Sequence, residues 1–99
     1  MAKRKIIWSH NANIKLFQIL DFYADRNGNK IYSSKLYKKF KKELTLLIKL
    51  PEIGIITDLE GVRGLIVDDF ILFYELTPDF IIVHTVWDCR QNPDHILIK

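Results

Sequence analysis

One cysteine among 99 residues cannot build a disulfide framework, and Cys89 alone suits a reducing compartment. Four glycines are present, but none forms the Gly-rich turn that cradles a phosphate on backbone amides. The three histidines and the single cysteine lack the spacing of metal ligands, so no metal and no cofactor is expected. No apolar run is long enough to span a bilayer. The start, Met1-Ala2-Lys3-Arg4-Lys5-Ile6-Ile7-Trp8, is basic but lacks the longer apolar stretch of a signal peptide. There is no internal repeat, low-complexity segment or linker. These absences leave the expectation of a cytoplasmic protein with no use for a membrane.

What is present suits one modest core. The sequence is 48% hydrophobic, which excludes a disordered tail, and its length predicts a single domain over residues 1–99. The net charge of +3 and a pI near 9.0 favour a polyanion or an acidic partner.

Lys5-Ile6-Ile7-Trp8 reads as a short strand and Ser9 as the N-cap of a helix from about His10 to Arg26. At about 100° per residue, Ala12, Leu16, Ile19, Leu20 and Tyr23 share one side of it. Phe17 sits at the edge of that arc, and Ile14 and Phe22 lie outside it, free to meet a second surface. Asn27-Gly28-Asn29 breaks the helix. A second helix is predicted from about Lys30 to Leu50, ended by Pro51, with the core stripe Tyr32, Leu36, Phe40, Leu44 and Leu47. Opposite lie Lys35, Lys38, Lys42 and Lys49, nearly in line and flanked by Lys39 and Lys41. That ridge is either a solvated face or a nucleic-acid contact.

Three runs rich in Ile, Val, Phe and Tyr follow: Val62–Val67, Phe70–Leu76 and Phe80–Trp87, the last continuing through Arg90 to Pro93. They predict hairpin-connected antiparallel strands, with turns at Glu60-Gly61, Asp68-Asp69 and Thr77-Pro78-Asp79. The expected architecture is α+β: an N-terminal strand and a two-helix hairpin packed on one face of a small antiparallel sheet. Arg63 and Arg90 stand among the strand residues. A guanidinium there is costly to bury unpaired, so it reaches an anion or a rim.

Several short pieces occur in a telling order. Ile7-Trp8-Ser9 and Ala12 come first, then Leu16, Ile19 and Tyr23, then Leu50-Pro51-Glu52-Ile53-Gly54. Val62-Arg63-Gly64-Leu65, Phe73-Tyr74-Glu75, Ile82 to Trp87 and Arg90-Gln91-Asn92-Pro93 complete the set. In order and spacing this resembles the RelE/ParE superfamily of bacterial toxin–antitoxin toxins, over nearly the whole chain. The resemblance implies a compact growth-inhibiting toxin neutralised by a cognate antitoxin. RelE-like members bind the ribosome and cut mRNA; ParE-like members inhibit DNA gyrase without cutting nucleic acid. The antitoxin expected here is acidic and covers exposed apolar residues such as Ile14 and Phe22. A non-toxic remnant acting only as an interaction module is the alternative.

Both Arg63 and Arg90 match arginine positions that are functional in RelE-like toxins, where a guanidinium can hold two phosphate oxygens. His84 or His95 would transfer the proton near neutral pH, and Tyr74 would stack on a base or orient the phosphate. Each has a structural reading beside the catalytic one. Arg63 could pair with Glu60 or Glu75 and Arg90 with Asp88; His84 could be a satisfied sheet residue, and Tyr74 alternates with Leu72 and Leu76 as core residues do. If the last strand continues without interruption, His84 and Arg90 share a phase. Arg90 beside Cys89 would lower that thiol's pKa. The chain departs from the nuclease pattern in having no lysine or arginine from Pro51 to Gly61 and no tyrosine in its last six residues. The resemblance implies an endoribonuclease if the chain is RelE-like and a non-enzymatic inhibitor if it is ParE-like.

Overall fold

The computed structural model describes residues 3–90. Strand β1 spans Lys5–Trp8, helix α1 His10–Asn27 and helix α2 Ile31–Lys49. Strands β2 (Ile55–Ile56), β3 (Val62–Val67), β4 (Phe70–Leu76) and β5 (Phe80–Asp88) follow. The fold is α+β, as expected.

Helix α1 begins where Ser9, in extended conformation, accepts the Ala12 amide on its Oγ at 3.1 Å. The same hydroxyl donates to the His84 carbonyl at 3.1 Å, so the cap also fastens the helix start to β5. Gly28 stops α1 at φ +71°, a left-handed value that suits a residue without Cβ. Asn29 then accepts the Ile31 amide at 3.0 Å and opens α2. Ala12, Leu16, Ile19 and Tyr23 are buried from α1, and Leu36, Phe40, Leu44 and Leu47 from α2. Leu20 and Tyr32, also expected in the stripes, are only partly buried. Ser33 takes a buried place instead and donates to the Leu20 carbonyl at 2.7 Å, tying the helices together where a larger side chain would hold them apart.

The sheet order is β1-β5-β4-β3-β2. Neighbours from β2 to β5 pair antiparallel, but β1 runs parallel to β5, with Lys5 opposite Phe80 and Trp8 opposite Val83. The sheet is therefore mixed rather than antiparallel throughout. An apolar tetrapeptide signals a strand but not its direction. The parallel arrangement is possible because the chain between these two strands is long enough to cross over. The two-residue β2 was not expected as a strand.

Leu65, Val67, Phe70, Leu72, Tyr74, Ile81, Val83 and Val86 point into the core beneath the helices. Between Phe73 and Tyr74 the β4–β5 register slips: Phe73 faces Thr85 and Tyr74 faces Val83, leaving His84 as the extra residue of a bulge. Before the bulge the core positions of β5 are Ile81 and Val83; after it they are Val86 and Asp88.

Candidate functional site

The register separates the residues that the sequence offered as one catalytic group. Arg63 opposes Tyr74 on β4, whereas Asp88 opposes Phe70, and Arg90 lies two residues further on. Four positions of β4 at ~3.3 Å each put roughly 13 Å between those rungs before the extra two residues are added. Arg63 shares its side of β3 with Leu65 and Val67, and Arg90 lies over Tyr23 and Phe70, so the two bracket the core from opposite ends.

Each arginine already has partners. Arg63 Nη1 donates to the carbonyls of Glu52 (3.2 Å) and Gly54 (3.1 Å), not to Glu60 or Glu75. Tyr74 works on the same loop: its Oη accepts the Gly54 amide at 3.0 Å and donates to the Pro51 carbonyl at 2.8 Å. Together they fasten the Pro51–Gly54 turn, which gives Leu50-Pro51-Glu52-Ile53-Gly54 a structural meaning beyond a helix stop. Tyr74 is fully buried, so it cannot stack on a base. Burial pushes its pKa above the ordinary value.

Arg90 rests over the rings of Tyr23 (4.6 Å), Phe70 (5.2 Å) and Tyr32 (5.6 Å) and donates to Tyr32 Oη at 2.7 Å. Its Nε lies 3.5 Å from Asp69 and 3.8 Å from Asp88, the internal partner anticipated beside it. The Asp88 carboxylate is buried and accepts the Tyr23 hydroxyl and the Arg90 amide. Cys89 is half-buried, and its thiol pKa is raised, first by burial and then by Asp88 and Asp69. That corrects the expectation that Arg90 would lower it.

The bulge breaks the alternation that had put His84 in phase with Arg90. His84 instead lies on the open face of the sheet, its Nε2 2.8 Å from Glu75 Oε1. Both side chains are partly exposed beside a cleft of about 350 Å³ lined by Ser9, Asn11, Leu59, Val62, Phe73 and Thr85. The pair can pass a proton, but no arginine candidate stands on its side of the sheet. His95 lies outside the described residues.

An open sheet face follows from helices packed on one side only; what the sequence reading missed is the apolar row on it. Trp87, Ile71 and Ile66 occupy paired positions on three adjacent strands, and Ile66 is 57% exposed. Ile7 continues the apolar surface onto β1 beside Ile82. Strict alternation along β3 and β4 would have found Ile66 and Ile71; the β5 bulge hides Trp87 from the same argument. On α1, Ile14 and Phe22 are exposed as expected. Lys35, Lys38, Lys42 and Lys49 all face solvent along α2. Among the described residues no group of His, Cys, Asp and Glu could hold a metal ion, and no helix is long and apolar enough to cross a membrane.

Over residues 6–93 the sequence matches the family described as ParE toxin of type II toxin-antitoxin system, parDE. The chain belongs to the ParE toxin family. No curated protein matches the sequence. Among solved structures, this ParE-family chain is similar to a chain of the chromosomal ParDE toxin–antitoxin system from P. aeruginosa. The identity is 18%, the match covers 85% of this chain and 94% of that one, and the TM-score is 0.73. A chain of the E. coli DinJ–YafQ toxin–antitoxin complex matches at 18% identity, over 91% and 97% of the two chains, with a TM-score of 0.56. YafQ from E. coli matches at 20% identity, over 90% and 97%, with a TM-score of 0.55. At these identities the likeness is one of fold, and it places the ParE-family toxin within the wider RelE/ParE architecture.

Proposed function

We propose that this toxin arrests growth by inhibiting DNA gyrase without cutting nucleic acid, and that a cognate antitoxin silences it by direct binding. The observation that carries this reading is the separation of Arg63 from Arg90. One secures a turn at one end of the core; the other is stacked on aromatic rings at the opposite end. In-line cleavage of RNA needs cations, base and acid gathered around one phosphate. The family to which the chain belongs points the same way, towards the ParE-like mode. The antitoxin would settle on exposed apolar surface, namely Ile14 and Phe22 of α1 and Ile66 on the sheet with the half-buried Ile71 and Trp87 beside it.

A second reading, ribosome-dependent mRNA cleavage, draws support from the His84–Glu75 pair beside its cleft. Induction of the chain alone, with plasmid supercoiling and transcript ends followed within minutes, separates the two. Lost supercoiling or DNA breaks with intact messages is the expected result, and co-expression of the neighbouring small gene should restore growth. Fresh cuts inside translated messages that vanish in His84→Ala would replace this reading with the nuclease. Unimpeded growth at high expression would leave the non-toxic interaction module.

A further inference from the structure

The charge of this protein is concentrated in one helix. Helix α2 carries six lysines against one acidic residue, Glu43, a formal +5. The whole chain is +3, so everything outside α2 sums to −2. Lys35, Lys38, Lys42 and Lys49 fall within roughly 60° of one another around the helix and span about 21 Å along it. All four are exposed, and none forms a salt bridge within the described residues. Of the flanking pair, Lys39 is taken by Asp68 at 2.7 Å and Lys41 lies 5.5 Å from the Tyr37 ring centroid.

A face kept only for solubility would alternate acidic and basic residues, which stabilises a helix at i,i+4 spacing. Here Lys35 meets Lys38 and Lys39, and Lys38 meets Lys41 and Lys42, at the spacings where like charges repel. The arrangement works against the helix and is relieved when a polyanion lies along it. Steps of three, four and seven residues, about 4.5, 6 and 10.5 Å, suit a backbone of closely spaced phosphates. An acidic protein fits less well: lysine is depleted from protein interface cores, the row has no arginine, and only Leu46 beside it and Ile31 one turn before Lys35 offer exposed apolar surface on that face. Single strands are bound by stacking bases on aromatic rings, and no aromatic side chain lies in the row.

We propose that the α2 lysine row binds the phosphates of duplex DNA without regard to sequence. This goes beyond the gyrase reading and does not depend on it, because the binding is measured with no gyrase present.

The test is fluorescence anisotropy of a labelled duplex of mixed sequence, titrated with the full chain freed from its antitoxin, from about 50 to 200 mM salt. Four neutralised phosphates predict a slope of log K against log salt of about −3.6, with saturation in the micromolar range at the low-salt end. Replacing Lys35, Lys38, Lys42 and Lys49 by Glu should weaken binding at least tenfold, while the same four changed to Arg should preserve it. Circular dichroism checks that both variants fold. Should the Glu variant not fold, the Gln variant is used, and its slope is expected near zero. No anisotropy change at low salt, undiminished binding by the Glu or Gln variant, or tighter binding to a single strand would each overturn the proposal. So would loss of antitoxin affinity in the ridge variant with DNA binding unchanged, which would make the row a protein interface. Supercoiling inhibition by the same variants is scored separately, so failure of one reading does not disguise failure of the other.

Discussion

Tyr74 carries a hydroxyl into a fully buried position and spends it on the backbone of one turn. Tyr74→Phe leaves the Gly54 amide and the Pro51 carbonyl without that partner. The expected loss is about 1–3 kcal/mol, read from urea unfolding near neutral pH. The raised pKa has a direction in pH as well. The folded state keeps the phenol protonated, so its contribution is complete below the unfolded value of 10.0 and is lost as pH rises through the raised one. Wild-type stability should therefore fall above pH ~10 more steeply than that of Tyr74→Phe. The Cys89 thiol acts with the same sign from its ordinary value of 9.0, so both proteins are best compared with Cys89→Ser in place. Arg90 offers a different check. Its flat guanidinium covers three rings while reaching Tyr32 and Asp69, a geometry that an ammonium cannot reproduce. Arg90→Lys should cost about 1–2 kcal/mol in the same unfolding assay, although net charge is unchanged.

At the scale of elements, the Pro51–Gly54 turn is the tightest join. A Cβ on Gly54 would stand 2.5–2.6 Å from the Tyr74 ring and hydroxyl, both packed in the core with little room to yield. Gly54→Ala should destabilise by about 1–3 kcal/mol, seen as a lower urea midpoint with an unchanged slope. Both helices and the three long strands were legible in the sequence because their periodicities are strong and their stops are Gly28, Pro51 and short polar turns. The β1 strand was legible too, but its direction was not, since that depends on a partner some 75 residues away. The site was less legible for a related reason. One bulge residue changes the face of everything after His84, and no local signal in Val83-His84-Thr85 announces it. Likewise Arg63 looked like a phosphate ligand because its true partners are main-chain carbonyls, which no side-chain pattern reveals.

Taken whole, the molecule is lopsided in charge and in apolarity. The cations line α2, while exposed apolar side chains gather on α1, along the stretch from Leu50 through β2 to Leu59, and at Ile7 and Ile66 on the sheet face away from the helices. An acidic antitoxin drawn in by the net charge would still have to find the apolar surfaces to bind tightly. Ile66→Asp should weaken antitoxin affinity at least tenfold, measured by calorimetry, while thermal unfolding of the free toxin shifts little because Ile66 is exposed. The sheet is also closed in time by its edge strand. Among the described residues β1 pairs with β5 alone, and Ser9 of the α1 cap waits for the same segment. At ~5–20 residues per second, that partner follows about 4–15 s after β1 leaves the ribosome's active centre. A nascent chain thus carries its helices well before it carries its finished sheet, and a message cut short before β5 yields no complete toxin. The finished sheet, and with it the fastened start of α1, is available only once β5 has been made.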